Sequence, residues 1–595
     1  MLKFPYGNSD FYSLRTEGYV YLDRTHYLAK LENAGKQLIF LRPRRFGKSL
    51  WLSTLAHYYD VNRKADFERL FGELAVGKTP TPERNQYMIL RWDFSQVLAQ
   101  GDTEAITQNL FRHIMATLQD FLLRYKGLLK TEPKLIYEDA LFSFQSVLSA
   151  AQASGYQVYL LIDEYDNFAN ELLMHVQADQ QSYLELVRSE GVLKTLFKAI
   201  KSNASDGKIG RVFITGVSPV VLSDMTSGYN VATNIYLLPH FNALCGVTET
   251  ELTELVNQVA SECQHPPETI SQTLATMRSF YNGYRFCEDM TQPRLYNPTL
   301  ALYYLHYYKE YCSAPSQILD GNLAMDANKI AYIASLPAGR TVINNILNAQ
   351  QALTIPQLEN QFGMEKLRNL KNDPNYMIAL LYFFGVLTIS GRGAIGGLIL
   401  SVPNLVIHGL YIAELKERLL PDGMERFMLQ QMAEQFYQTA ELQPLAEFIE
   451  TKYFAILNNR DYRWSNELTV KTAFLTLLFS DTYYIMDSEP ALQRRYSDLT
   501  LITRPNMRQY ALLDIVFEFK YLSLGDLGLT GEQVKNQSRE QLALLPLVQT
   551  ALQNAQHQLA HYRQVLIDKY QEPERLRCIA VVALGFERLV WQILE

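Results

Sequence analysis

Cysteine is scarce in this chain of 595 residues: Cys245, Cys263, Cys287, Cys312 and Cys578 are the whole set, and no two make a C-x-x-C pair. That spacing indicates neither a zinc ribbon nor a disulfide framework, and an odd, scattered set fits a reducing compartment. Basic charge is not in excess. With a net charge of −7 and a pI of about 5.9, any contact with nucleic acid must use a local basic patch. Long apolar runs are missing too. The longest, Tyr376 to Ile389, is too short to cross a bilayer and contains Gly385. It reads as a core helix running into a strand, and no membrane partner is expected. The opening stretch, MLKFPYGNSDFYSLR, has no apolar segment of the kind a secretory leader needs, so the expected location is cytoplasmic. Internal repeats and low-complexity segments are also absent. Hydrophobic residues at 48% and charged residues at 20% are ordinary for a globular protein. The length calls for roughly two to four domains.

What is present centres on Leu38 to Leu55, LIFLRPRRFGKSLWLSTL. Leu38 to Leu41 is a short apolar run of the buried-strand type. Pro43 cannot continue it, having no N–H. Lys48-Ser49 opens a helical pattern with Leu52 and Leu55 on one face. Strand, loop, Gly-Lys-Ser and helix form the context a P-loop requires. Backbone N–H groups around Gly47 can cradle phosphates, Lys48 can reach the β- and γ-phosphates, and Ser49 can ligate Mg²⁺. Arg42 stands where the pattern G-x-x-x-x-G-K-[ST] has its first Gly, so the motif alone also fits a basic surface loop before a core helix. A second motif decides between them. Val158 to Ile162 is a β-type run ending in Asp163-Glu164, as a Walker B strand does. Asp163 is expected to hold Mg²⁺ through water, and Glu164 to polarise the attacking water.

Alternating strands and helices from 19 to 240 predict a parallel sheet covered by helices. Its pieces include Tyr19 to Thr25, read as a strand ending at a helix cap, Tyr87 to Asp93, and Arg211 to Ser218. Thr215 and Ser218 close that last strand, where ligands gather in open α/β sheets, so they are candidates to sense the γ-phosphate or to cap the next turn. From about 248 the chain reads as helical, beginning at Thr248-Glu249-Thr250-Glu251. Arg285, in the aromatic turn Phe280 to Phe286, is a candidate second sensor, set against stacking on neighbouring rings. Helices and then the hairpin signal Leu387 to Gly393 suggest a winged-helix-like connector. The predicted division is 1–245 for an α/β P-loop domain, 246–420 for a helical lid and connector, and 421–595 for a second α/β domain.

The last domain carries its own chemistry. Asp498 begins one predicted strand, and Ile515 to Tyr521 is another, with Glu518 and Lys520 on one face. Two carboxylates on adjacent strands make a hard-oxygen site for Mg²⁺ or Mn²⁺, and Lys520 can orient a water or steady phosphorane charge. Gln558 and Tyr562 lie one helical turn apart and can reach the scissile nucleotide. The competing reading of Glu518 and Lys520 is a solvated strand face with a salt bridge. His557 and His561 share the i, i+4 spacing but have no third ligand, which argues against zinc.

Taken together, Tyr21-Leu22-Asp23-Arg24-Thr25, Arg42 to Ser49, Leu161 to Asp166, Phe213 to Ser218, Tyr281 to Phe286 and Tyr296-Asn297-Pro298 resemble bacterial and archaeal proteins that join an AAA-ATPase-like domain to a PD-(D/E)XK nuclease domain. The resemblance covers nearly the whole chain. It makes Arg42 in place of Gly a family habit, and it adds Arg42 and Arg45 to the nucleotide-binding candidates, with Arg44 and Arg45 facing phosphates or a neighbouring subunit. It implies Asp498 and Glu518 as metal ligands and Lys520 as catalytic, with Glu467 and Glu489 as further carboxylates. A Gly usual before the first ligand is missing in Arg495-Tyr496-Ser497-Asp498. The function implied is ATP hydrolysis coupled to metal-dependent cleavage of DNA or RNA in a defence or mobile-element setting. ATP and Mg²⁺ are the cofactors, and a homo-oligomer is an implied partner. The alternative is a signalling or scaffold ATPase whose nuclease-like domain only binds nucleic acid or a protein.

Overall fold

In a computed structural model of the chain, the described residues are 2–98, 103–167, 191–220, 230–319, 330–347 except 332 and 335, 353–359, 373–454, 467–487 and 491–594 except 493, 494 and 497. The amino-terminal sheet is built from β1 (Gln37–Leu41), β2 (Tyr87–Asp93), β3 (Gln157–Asp163), β4 (Ile209–Gly216) and β5 (Thr233–Asn234). Its strands pair in parallel in the order β2-β3-β4-β1-β5. The long helices beside it are α1 (Lys48–Tyr59), α2 (Thr103–Tyr125), α3 (Ala140–Ala153) and α4 (Val192–Ser205). The apolar runs of β1, β3 and β4 are almost wholly buried, as parallel strands between helical layers must be. This order sets β4 between the strand that feeds the Gly-Lys-Ser loop and the strand that ends in the two acids.

One expected strand is not formed. Residues 19–24 run extended without a ladder partner. Val20 N–H instead donates to the Lys3 carbonyl, and Asp23 caps the following turn by accepting from Thr25 N–H at 2.8 Å. The β-type residues there serve packing rather than pairing.

The helical segment holds α5 (Glu249–Glu262), α6 (Pro267–Tyr281) and α7 (Pro298–Tyr311). Thr248 and Glu251 form a capping box at the start of α5. Arg24 ties this end to the first domain, pairing with Glu251 and donating to the Gly246 carbonyl at 2.8 Å. Cys263 and Cys312, at the ends of α5 and α7, form a disulfide, which corrects the reading of the cysteines as unpaired. Helix packing joins two positions that sequence spacing does not connect. Next come α8 (Pro337–Leu347), β6 (Leu353–Ile355), α9 (Pro374–Phe383), β7 (Thr388–Arg392), β8 (Leu398–Ser401) and α10 (Leu405–Leu419). The strands pair antiparallel in the order β6-β8-β7, so the predicted hairpin is present with a third strand beside it.

After α11 (Gly423–Thr439) and α12 (Glu467–Leu478) comes a second sheet. It comprises β9 (Tyr484–Asp487), β12 (Leu499–Thr503), β13 (Asp514–Leu522), β14 (Leu576–Leu584) and β15 (Arg588–Leu594), with a small hairpin of β10 (Ala491–Leu492) and β11 (Arg495–Tyr496) to one side. The order is β15-β14-β13-β12-β9, parallel only between β13 and β14. Strand alternation divides β13 cleanly. Phe517 and Phe519 meet Phe474 of α12 on one face, while Val516 packs with the long helix α13 (Pro546–Tyr570) on the other. Among the described residues no helix is long and apolar enough to cross a membrane. One apolar core runs unbroken from Phe11 in the first domain, through the connector, to Leu589 in the last.

Candidate functional site

The carboxyl ends of β1, β3 and β4 meet at one edge of the first sheet. β1 leads into the loop Arg42 to Gly47, and α1 begins at Lys48. Gly47 has φ 92°, a conformation that favours glycine, while Arg45 and Glu164 adopt positive φ of 63° and 51° as non-glycine residues. Such backbone is costly, and it clusters where ligands are held. The Lys48 ammonium is buried and donates to the Arg42 and Pro43 carbonyls, each at 3.0 Å, so it sits folded into the loop. Glu164 lies close by. Burial raises its carboxyl above the ordinary range, while Lys48 and Arg44 pull it back down. Asp163 Oδ1 accepts from the Thr215 hydroxyl at 2.5 Å, and the Arg91 guanidinium stands 3.6 Å from Oδ2. Lys48, Asp163, Glu164 and Thr215 therefore share one edge, and Ser49 opens the helix beside them. Hydroxyl and carboxylate oxygens are the donor set that suits Mg²⁺.

Several candidates make contacts of their own. Arg42 is buried, and its guanidinium donates to the carbonyls of Leu41, Tyr236, Phe241 and Asn242 between 2.8 and 3.3 Å. It lies over the Phe40 and Phe286 rings, and burial pushes its pKa down to about 10. It fastens the segment after β5 beneath the loop instead of facing phosphate. Arg285 donates to the Gln292 carbonyl and approaches the Met290 sulfur, so it braces its own turn and not a nucleotide. Ser218 gives its hydroxyl to Asp166, which also accepts from Ser218 N–H at 2.7 Å. Arg45 has its carbonyl held by the Thr299 hydroxyl at 3.0 Å.

A small, mainly apolar cleft of about 100 Å³ opens beside Gly47. Leu50 and Trp51 from α1, Val20 and Leu22 from the extended segment, Cys245, and Pro298 of α7 line it. These residues form an apolar wall next to the phosphate loop. Sequence reasoning did not single them out. Only Leu50 and Trp51, directly after Ser49, carried a usable signal.

A second cluster lies at β12 and β13. Asp498 precedes β12, and its Oδ2 accepts from Phe519 N–H at 2.7 Å. Lys520 Nζ donates to Glu518 Oε1 at 3.1 Å and to the Phe519 carbonyl at 2.8 Å, and reaches Glu467 Oε1 of α12 at 3.5 Å. Burial first, and then the Asp498 charge, pushes the Glu518 acid up to about 7. Glu518 is only 3% exposed, and its Oε2 is buried without a hydrogen-bond partner. An orphaned carboxylate oxygen beside a second carboxylate fits a divalent cation, which would stabilise the charge that burial disfavours. Gln558 and Tyr562 sit on α13, against the face of β13 that Glu518 shares with Val516. Tyr562 belongs to that apolar core, and Gln558 Oε1 is buried without a partner. Glu489 lies outside the described residues. Among the described residues the one group of three close metal-ligating side chains is Cys263, His265 and Cys312, whose sulfurs are joined; His557 and His561 are in no such group.

Fold and site together define a P-loop nucleotide-binding domain followed by a second α/β domain. Residues 5–226 match the family model described as AAA-ATPase-like, a predicted AAA-ATPase, so the chain carries an AAA-ATPase-like domain. An uncharacterized protein from the vnfD 5′ region of Azotobacter chroococcum mcd 1 is 25% identical over 555 residues, covering 90% of this chain and 92% of that one. Cdc6p from Pyrobaculum aerophilum overlays 68% of this chain and 98% of its own at 10% identity and a TM-score of 0.25. The Aeropyrum pernix ORC2 protein overlays 67% and 97% at 11% identity and a TM-score of 0.28.

Proposed function

We propose that this chain is an ATP-hydrolysing protein joined to a metal-dependent nuclease that cleaves DNA or RNA, in a defence or mobile-element setting. The ATPase half rests on Lys48, Asp163, Glu164 and Thr215 at one sheet edge beside an apolar cleft. In that reading Lys48 leaves the Arg42 and Pro43 carbonyls for phosphate oxygens, Ser49 and Asp163 hold Mg²⁺, and Glu164 takes a proton from the attacking water. Bound Mg²⁺ would neutralise phosphate charge. Glu164→Gln should still bind ATP and hydrolyse it slowly.

The observation that carries the nuclease half is the buried, unpartnered Oε2 of Glu518 next to Asp498 and Lys520. A salt bridge on a solvated strand face would leave no carboxylate oxygen dry. Asp498 and Glu518 would hold Mg²⁺ or Mn²⁺, which would polarise the scissile phosphate. Lys520 would steady the charge that develops there, and Glu467 keeps that ammonium in position.

The test is cleavage of plain DNA and RNA by the whole chain with Mg²⁺ or Mn²⁺, with and without ATP, beside Asp498→Ala. Cation-dependent cleavage that Asp498→Ala abolishes, with its ATP hydrolysis intact, is the expected result. Binding without cleavage on every substrate would instead leave a scaffold ATPase with a binding module.

A further inference from the structure

The phosphate loop carries three arginines, Arg42, Arg44 and Arg45, and they are not equivalent. Arg42 is spent on backbone carbonyls beneath the loop. Arg45 bends the chain, with its carbonyl fixed by Thr299. Arg44 faces the acid strand. Its guanidinium lies 3.5 Å from the Asn167 amide oxygen, four residues beyond Asp163, and Arg44 and Lys48 are the cations that act on the Glu164 carboxylate. Among the described residues Arg44 has no carboxylate within ion-pair distance, whereas Arg24 and Arg91 pair with Glu251 and Asp163. One weak contact to a neutral amide leaves most of its five donors unused.

The loop around it is closely packed. Phe46 is buried edge-on between Tyr284 and Phe286. Pro43 presses so closely on Gly385 that a Cβ there would lie 2.7 Å from its ring. Arg44 is thus a cation placed by fixed neighbours on both sides, next to the carboxylate expected to take the water proton.

We propose that Arg44 acts within its own chain as the arginine that neutralises the γ-phosphate during ATP hydrolysis. The inference rests on the ATPase reading above. Water adds to the γ-phosphorus, and the bond to the β–γ bridging oxygen breaks. ADP leaves with that electron pair, and the water proton passes to Glu164. Charge grows on the γ-phosphoryl oxygens and the bridging oxygen, where a bidentate guanidinium contributes most. An arginine in this role contributes on the order of 10³–10⁵ in turnover. Because Arg44 belongs to the loop that binds the phosphates, no second copy is needed to supply it.

The test uses the full chain and two variants, Arg44→Ala and Arg44→Lys, with melting curves to establish folding. Affinity for a fluorescent ATP analogue should change by less than about tenfold, while turnover of Arg44→Ala falls by about 10³. Tight binding of ADP with aluminium fluoride, present in the unmodified protein, should be lost in Arg44→Ala and weakened in Arg44→Lys. Turnover per chain should stay constant as the unmodified protein is diluted. Unchanged turnover in Arg44→Ala, or equal loss of ATP and aluminium fluoride binding, overturns the role. So does a per-chain rate that collapses on dilution, since the arginine would then be acting on a neighbour. If Arg44→Ala fails to fold, Arg44→Lys decides by the same criteria. Absence of any ATP binding by the unmodified protein would sink the ATPase reading itself.

Discussion

At Glu518 the fold holds a proton that the unfolded chain releases at ordinary carboxylate pH. A raised acid costs stability when it is charged. Cation-free stability is therefore highest below the unfolded pKa and falls as pH rises through about 7, by roughly 3 kcal/mol at most. A cation held by Asp498 and Glu518 removes that penalty. Without nucleotide, Mg²⁺ or Mn²⁺ should raise the melting temperature more at about pH 8 than at about pH 5.5. Glu518→Gln should melt higher than the unmodified protein at the upper pH and lose the cation response. Equal cation effects at both pH values would count against the site. The same residues show what a motif conveys. Lys48, Ser49 and Asp163 fall at one sheet edge because strand, loop and helix fix where such side chains go. For Arg42 and Arg285 sequence could not name the carbonyls that tertiary structure offers a guanidinium. For Arg42 these lie nearly two hundred residues downstream, and sequence distance conceals them.

Among the elements, the buried strands were the most legible. β2 spans Tyr87–Asp93, and β3 and β4 end at the acids and at Gly216 as their apolar runs require. Residues 19–24 have the same β-type composition but find no ladder, because pairing depends on a neighbour that local sequence does not name. Cysteine pairing was illegible for a related reason. The Cys263–Cys312 disulfide closes a stretch of 49 residues by joining two helix ends, with His265 bonded to the Cys312 carbonyl at 2.9 Å. Such a clasp constrains the unfolded chain and contributes roughly 2–4 kcal/mol. Reduction should lower the melting temperature of the unmodified protein and leave that of Cys263→Ser unchanged. A Cys263→Ser variant that melts with the oxidised protein would mean the clasp contributes nothing.

For the whole molecule the question is how the AAA-ATPase-like domain could reach the proposed cation site. The loop meets the connector at Pro43 and Gly385, and α10 of that connector packs against α12 and β9 of the last domain. A second tie is Arg504, fully buried, whose guanidinium donates to the Pro315 and Ser316 carbonyls at 2.8 and 3.0 Å. Contact along this path provides a physical route for coupling. Lys48→Ala should lose ATP binding and alter cleavage, and Arg504→Ala should weaken the ATP dependence of cleavage while Asp498 and Glu518 remain in place. Cleavage by Lys48→Ala that matches the unmodified protein at every ATP concentration would show two merely tethered activities.

The unbroken core from Phe11 to Leu589 has a consequence for anyone wishing to take the protein apart. A cut at residue 245 falls in apolar packing and not in a linker. It would strip Phe46 of the Tyr284 and Phe286 rings and leave Arg42 without the ring of Phe286. The freed fragment would present a sticky wound directly against its own phosphate loop. Single substitutions can address the two candidate sites separately, whereas a cut there would break the core that both domains share.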